Sequence, residues 1–195
     1  DALQVYRALL DDPHQMIIAG DSAGGNLTLA TLLRARDLGL PMPACGLAIS
    51  PGADARGELM SRQANNDSDA MLSRCMIDVA TQVYLAGADP MLPYASPCLG
   101  DYRGLPPLML TVSADECLRD DAHAVAQRAR DAGVPVQLME RRDLPHVWPV
   151  FTFLLPEARR DFSIIVGALR RHLALPLSVS ADSRVQTATV VSGAP

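Results

Sequence analysis

A serine set among glycines is the first group in this sequence that is suited to covalent chemistry. Ser22 lies in the pentapeptide Gly-Asp-Ser-Ala-Gly at 20–24, between an apolar run at 16–19 and a helix-forming stretch from Asn26 to Leu38. A strand, a tight turn and a helix are the context that a G-x-S-x-G nucleophile elbow requires, because the turn lifts the serine hydroxyl above the sheet edge. Small residues are expected at the glycine positions, where side chains would collide with the neighbouring strand and helix. The motif predicts a serine nucleophile for acyl transfer.

The residues around Ser22 are candidates for binding the substrate and its oxyanion. Ala23 and Gly24 open the following helix, whose first N–H groups would face a developing negative charge. Asp21 precedes the serine and is a candidate for hydrogen bonding around the elbow. A purely structural interpretation is also open, in which Ser22 is an N-cap residue of the helix.

A serine nucleophile needs a general base, and the base needs an acid to orient it. Asp115 follows the predicted strand Leu108–Ser113, and His146 follows the predicted strand Val136–Glu140. In a parallel sheet the loops after these strands open at the same edge as the elbow. The sequence therefore predicts a triad of Ser22, Asp115 and His146.

Alternatives exist for both partners of the serine. Asp115 could instead be a loop or cap carboxylate, and the other candidates for the acid are Glu116, Asp120 and Asp121. Three other histidines compete with His146, and each is less well placed. His14 precedes the elbow strand at the opposite sheet edge, and His123 and His172 fall in predicted helices with charged neighbours.

The elements that must position these residues alternate along the chain. Apolar runs at 16–19, 45–50, 108–113 and 136–140 are separated by helix-forming segments, which indicates a parallel sheet covered on both faces. Further helices are predicted at 73–85, 120–132 and 156–173, with a polar loop at 51–69. The pattern favours one α/β domain over 1–175, followed by a poorly ordered tail at 176–195.

Composition excludes several other functions. The 195 residues are 49% hydrophobic and 20% charged, with a net charge of −5 and no block of basic residues, which argues against nucleic-acid binding. No apolar run approaches the length of a membrane span. The four cysteines lack the spacing of metal ligands, so we expect free thiols, a reducing cytoplasmic location and no metal.

Several motifs together resemble the hormone-sensitive-lipase-like family of bacterial α/β-hydrolase esterases. The resemblance rests on the elbow with its extra Gly25, on Ser50-Pro51, and on the segments at 104–107, 115–120, 145–148 and 155–158. It implies the carboxyl-terminal part of an α/β-hydrolase fold, with about four parallel strands. It also implies hydrolysis of small to medium aliphatic esters through an acyl-enzyme, without a cofactor.

Two groups of residues could shape a substrate pocket. Trp148, Phe151 and Phe153 follow the candidate histidine and are either pocket wall or core. Met60 and Met71 flank the polar loop, and either line an adaptable acyl pocket or pack in the ordinary way.

One part of the family's machinery has no counterpart in the sequence. The resemblance implies a His-Gly-Gly-Gly-type loop that supplies further oxyanion donors, whereas the only tandem glycines are Gly24 and Gly25. The elbow strand would then be an open apolar edge, available for self-association or for a partner chain. Because losing one oxyanion donor typically costs about 10²–10³ in turnover, we expect little or no esterase activity from these 195 residues alone. A non-catalytic fragment or pseudoenzyme that binds a ligand or partner is the alternative, and an amidase or peptidase is a third possibility.

Overall fold

Four parallel strands form the centre of the protein in a computed structural model, which describes residues 1–11 and 15–173. The strands are β1 (Ile17–Asp21), β2 (Cys45–Ile49), β3 (Leu108–Ser113) and β4 (Val136–Arg141), and they lie side by side in chain order. Ile17 is level with Cys45, Gly46 with Leu108, and Leu108 with Val136. This register brings the carboxyl ends of all four strands to one edge of the sheet, as the sequence predicted.

Helices cover both faces of this sheet. The helices are α1 (Ala2–Ala8), α2 (Ala23–Asp37), α3 (Ser61–Ala64), α4 (Arg74–Leu85), α5 (Arg119–Asp131) and α6 (Pro156–Arg170). On one face, α2 and α5 pack through side chains such as Leu29 and Val125 against Leu110 of β3. On the other face, Ile165 and Ala168 of α6 pack against alternate residues of the same strands. Burial on both faces explains why β2 and β3 are mostly apolar and why every residue in them is buried.

Two elements differ in position from their prediction. Helix α2 begins directly after the nucleophile, at Ala23, because the backbone turns into the helix without a connector. The polar loop after β2 contains α3, whose Ser61 and Arg62 are buried. Two turns of 3₁₀ helix, Pro97–Leu99 and Trp148–Val150, complete the fold. The predicted tail at 176–195 lies outside the described residues.

The strand that carries the elbow is at the edge of the sheet. Among the described strands, β1 pairs with β2 alone, and Ala19 in its middle is exposed. An apolar groove of about 360 Å³ runs beside it, lined by Val5 and Leu9 of α1 and Leu27 of α2. Among the described helices, none has both the length and the apolar character needed to cross a membrane.

Candidate active site

The backbone at Ser22 has the strained geometry of a nucleophile elbow. Its φ of 53° and ψ of −118° are unusual for a residue with a side chain. Ser22 N–H donates to Ile49 O of β2 at 2.8 Å, which fixes the turn to the sheet. Although Ser22 stands at the N-cap position of α2, its hydroxyl makes no capping hydrogen bond. Helix capping therefore does not account for this serine.

Glycines at two elbow positions are required by close packing. A Cβ at Gly20 would lie 2.2 Å from the carbonyl oxygen of Gly24, and a Cβ at Gly25 would lie 3.0 Å from the backbone of Pro51. The expectation of collisions holds for these two positions. At Gly24 the nearest atom would be Asp21 Oδ1, 4.0 Å away, so packing alone does not require that glycine.

A buried histidine–carboxylate pair lies at the same edge of the sheet. His146 Nδ1 is 2.9 Å from Glu116 Oε2, and the two residues are 3% and 1% exposed. Burial raises the pKa of the Glu116 carboxyl, while the hydrogen bond and charge of His146 act in the opposite direction. His146 Nε2, the other ring nitrogen, makes no hydrogen bond within the described residues. It is therefore available to accept a proton from a nucleophile.

The acid beside His146 is not the aspartate that the sequence predicted. Asp115 is half-buried, and its Oδ2 accepts the backbone N–H of Asp143 at 2.6 Å. The chain turns after Ser113 so that Asp115 ties its own loop to the histidine loop, while the next residue, Glu116, enters the interior. Glu116, one of the alternatives left open above, thus occupies the place beside His146 that was predicted for Asp115.

Ser50 connects the elbow with the histidine loop. It is fully buried at the end of β2 and has a positive φ of 46°. Its Oγ accepts the N–H of Val147 at 3.2 Å, and the hydroxyl lies beside the Glu116 carboxylate, where it lowers that pKa. Since the preceding residue, Ile49, accepts Ser22 N–H, two consecutive residues at the end of β2 bond the serine turn and the histidine turn, respectively.

The other candidate acids brace the loop after β2. Asp121 accepts the N–H groups of Ala53 and Asp54 and a bond from Arg62, whereas Asp120 accepts the N–H of Ser61. These contacts hold the 51–69 loop against the start of α5, and burial raises the pKa of Asp121 to about 6. Neither aspartate contacts His146.

The remaining histidines lie elsewhere. His123 Nε2 is 2.7 Å from Glu140 in a partly exposed contact between α5 and β4. His172 is exposed beyond the end of α6, and His14 lies outside the described residues.

A cavity of about 280 Å³ opens at Ser22 and Ala23. Asn26 lines its inner side and donates to Gly52 O at 2.6 Å and Ala95 O at 3.0 Å. Most of the apolar wall comes from helix α4 and from Leu72, two residues before it; the residues of α4 are Met76, Ile77, Ala80 and Tyr84. Ala23 and Gly24 occupy the first positions of α2, where N–H groups lack intrahelical acceptors.

Several predicted pocket residues lie outside this cavity. Trp148 has no exposed surface, and its indole N–H donates to Asp161, so it packs in the core and does not line this cavity. Met60 and Met71 are exposed and do not line the cavity, and Phe153 is exposed as well. Asp21 is exposed at the end of β1.

Two features of the site are indicated by sequence patterns that the predictions above did not use. Glu116 directly precedes the apolar Cys117 and Leu118, which are both buried, whereas Asp115 precedes a charged residue. The apolar residues Met76, Ala80 and Tyr84 recur at four-residue intervals on one face of α4. Within the described ranges, no cluster of three or more His, Cys, Asp or Glu side chains is arranged to hold a metal ion.

Comparison with known proteins agrees with this architecture. A family model described as alpha/beta hydrolase fold matches residues 1–150. Among curated proteins, an acetyl-hydrolase of Streptomyces hygroscopicus is 41% identical over 173 residues, which are 87% of this chain and 58% of that protein. The carboxylesterase NlhH of Mycobacterium tuberculosis is 34% identical over 83% of the chain and 52% of its own length.

Solved structures give the same result. EstE5 superposes with a TM-score of 0.86 at 40% identity, covering 90% of this chain and 60% of that one. An esterase from the bacterial hormone-sensitive lipase family also gives a TM-score of 0.86, at 38% identity, covering 89% of this chain and 59% of that one. The chain belongs to the α/β-hydrolase fold family, and its structural neighbours are bacterial esterases of the hormone-sensitive lipase group. It spans a little over half the length of these relatives.

Proposed function

We propose that this chain carries the nucleophile, the base and the orienting acid of a serine carboxylic-ester hydrolase. The observation that supports this most directly is the buried His146–Glu116 pair, with its free Nε2, at the sheet edge that bears Ser22. A buried histidine hydrogen-bonded to a carboxylate is the arrangement that orients a general base. The uncapped hydroxyl of Ser22 is the matching nucleophile.

In the proposed reaction, Ser22 Oγ attacks the ester carbonyl while His146 Nε2 accepts the hydroxyl proton. The Glu116 carboxylate holds the proton on Nδ1 and stabilises the imidazolium that forms. The N–H of Ala23 at the start of α2 donates to the oxyanion. His146 then protonates the departing alcohol, and water hydrolyses the acyl-enzyme by the same route in reverse. No step requires a metal or organic cofactor.

We infer that the acyl group is short and aliphatic. The cavity at Ser22 has a volume of about 280 Å³ and a mostly apolar wall from α4, which is slightly below the usual range of about 300–1,000 Å³ for small-molecule pockets. One relative is named an acetyl-hydrolase, and EstE5 crystals were soaked with p-nitrophenyl butyrate. These names support acetyl and butyryl p-nitrophenyl esters as the first substrates to test, with the corresponding anilides to detect amidase activity.

The experiment that tests this proposal is labelling with a fluorophosphonate probe, because labelling reports on the nucleophile and base independently of turnover. The purified chain should be modified at Ser22, located by mass spectrometry of the digest. Ser22→Ala should abolish labelling and His146→Ala should slow it at least about 100-fold. His123→Ala is the matched control, since that histidine also pairs with a glutamate but lies away from the site. Labelling at another residue, or equal labelling of His146→Ala and the wild type, would refute the proposal.

The open edge of β1 supports a second proposal, that another segment of polypeptide pairs there, from a second copy or from a partner chain. In the described part of the chain the strand has one neighbour and an adjacent apolar groove, and exposed strand edges template pairing. Light scattering during gel filtration should show concentration-dependent self-association that Ala19→Lys reduces. A monomer at all concentrations would exclude the second copy.

The four free cysteines support a reducing, cytoplasmic location.

A further inference from the structure

A buried carboxylate outside the triad contacts the segment that carries His146. Asp161 of α6 is fully buried and accepts hydrogen bonds from Arg141 Nε at 2.8 Å and Arg141 Nη2 at 3.0 Å. Its Oδ2 also accepts the indole N–H of Trp148 at 3.2 Å. The bidentate bond from Arg141 lowers the pKa of Asp161, which keeps the buried group ionised. The indole is thus held by a charged acceptor fixed between β4 and α6.

Trp148 in turn closes the turn that contains His146. Its backbone N–H donates to Pro145 O at 3.1 Å, so that His146 lies inside a single hydrogen-bonded turn. Val147, between them, has a φ of 53°, which is unfavourable for a β-branched residue. A strained turn persists only where its surroundings hold it, and the anchored indole is one such restraint.

We infer that Asp161 is a positioning residue for His146, acting through the Trp148 indole. This inference rests on the proposed function, because it assigns Asp161 a part in the reaction of that site. The Arg141–Asp161 ion pair alone would join β4 to α6. The further bond to Trp148 links that rigid pair to a residue two positions from the base, and small displacements of a catalytic group have large effects on rate.

The test separates positioning from stability by comparing variants that alter one contact each. Trp148→Phe keeps an aromatic six-membered ring but removes the five-membered ring with its N–H donor, and it should slow fluorophosphonate labelling of Ser22 by at least about tenfold, the effect of losing one hydrogen bond of good geometry. Asp161→Ala should slow labelling at least as much. The double variant should be slowed by less than the product of the two single effects, because both substitutions break the same link. Asp161→Asn keeps an acceptor for the indole and should restore much of the loss.

Ile165→Val is the matched control for stability. Ile165 is fully buried on α6 and packs in the cluster on this face of the sheet, so the substitution should lower the melting temperature without slowing labelling. Labelling of Trp148→Phe at the wild-type rate, or equal slowing by Ile165→Val, would overturn the inference.

A spectroscopic readout distinguishes failure of this inference from failure of the proposed function. Trp148 is the only tryptophan, so its indole N–H gives a single NMR signal, which should move in Asp161→Asn. The imidazole ¹⁵N signals of His146, assigned with His146→Gln, should move in Trp148→Phe and remain unchanged in Ile165→Val. If the wild type is not labelled at Ser22, the proposed function fails, and the His146 signals still decide the inference. Unmoved His146 signals in Trp148→Phe would reject it.

Discussion

Replacing Glu116 by Gln tests which carboxylate serves the base. The substitution keeps the size of the side chain and removes its charge. The amide can donate its NH₂ to Nδ1, which would place the ring proton on Nε2, where it blocks proton transfer from Ser22. The imidazolium would also lose the carboxylate that lies 2.9 Å from its Nδ1 in a site with almost no solvent access. We expect labelling of Ser22 to slow by about 10³–10⁴, equivalent to about 4–5.5 kcal/mol, as for loss of the orienting acid in other triads.

Asp115→Asn is the matched comparison because Asp115 is the adjacent residue and the acid that the sequence predicted. Its carboxylate makes one hydrogen bond to the Asp143 N–H in a half-buried loop, a contact worth about 1 kcal/mol, so we expect at most a fivefold effect. Both variants should be measured as second-order rates of fluorophosphonate labelling, with circular dichroism to verify folding. Initial rates on p-nitrophenyl butyrate provide a second readout.

The outcome of this comparison is unambiguous. If Asp115→Asn labels more slowly than Glu116→Gln, or if Glu116→Gln labels at the wild-type rate while folded, the assignment of Glu116 is wrong. Glu116→Asp should fall between Glu116→Gln and the wild type, because it retains the charge and lengthens the contact by about one methylene.

Three further predictions concern packing, pH and the cavity. Gly20→Ala should lower the free energy of unfolding in urea by at least about 3 kcal/mol, because its Cβ would overlap Gly24 O. Gly167→Ala, in open space on α6, is the control and should raise the free energy of unfolding by up to about 1 kcal/mol. A Gly20→Ala variant as stable as the wild type would contradict the collision. Because burial raises the pKa of Asp121 from 3.8 to about 6, this group's contribution to stability is complete below about pH 4 and is lost as the pH rises through 6. Between pH 4 and 7 the free energy of unfolding should therefore fall less in Asp121→Asn than in the wild type, and the two falls should differ by up to about 3 kcal/mol. An identical fall in both proteins would contradict the raised pKa of Asp121. Ala80→Phe should fill part of the cavity and slow labelling of Ser22 by a fluorophosphonate with a butyl chain relative to one with a methyl group by about tenfold, whereas equal slowing would place the acyl group elsewhere.

The sequence was most informative for elements whose residue types are determined directly by burial or close packing in the fold. The apolar runs of β2 and β3 are buried on both faces, so their composition reveals them directly. The elbow was identifiable because Gly20 meets the backbone of the next turn, which no other residue permits. The parallel topology predicted that the serine, acid and histidine loops lie at one edge of the sheet.

The choice between adjacent carboxylates is only weakly indicated by the sequence, through the apolar Cys117 and Leu118 that follow Glu116. Asp115 and Glu116 share a loop, and which side chain enters the interior depends on how the backbone turns after Ser113. The role of Ser50 depends on hydrogen bonds to residues about 70 and 100 positions away, which no local pattern records. The burial of Trp148 likewise depends on Asp161 of α6, a partner supplied by tertiary packing.

Positive φ angles occur at four residues with side chains in the loops of the site: Ser22, Ser50, Asp143 and Val147. Each such conformation costs about 1–3 kcal/mol relative to a relaxed backbone, and the surrounding core supplies the compensation. The site is therefore the part of the fold where stability and activity conflict most directly. Selection for heat resistance alone would favour glycine at Ser22, which relaxes the turn and removes the nucleophile. Under the proposed function, a serine at this position gives up stability in order to place a nucleophile.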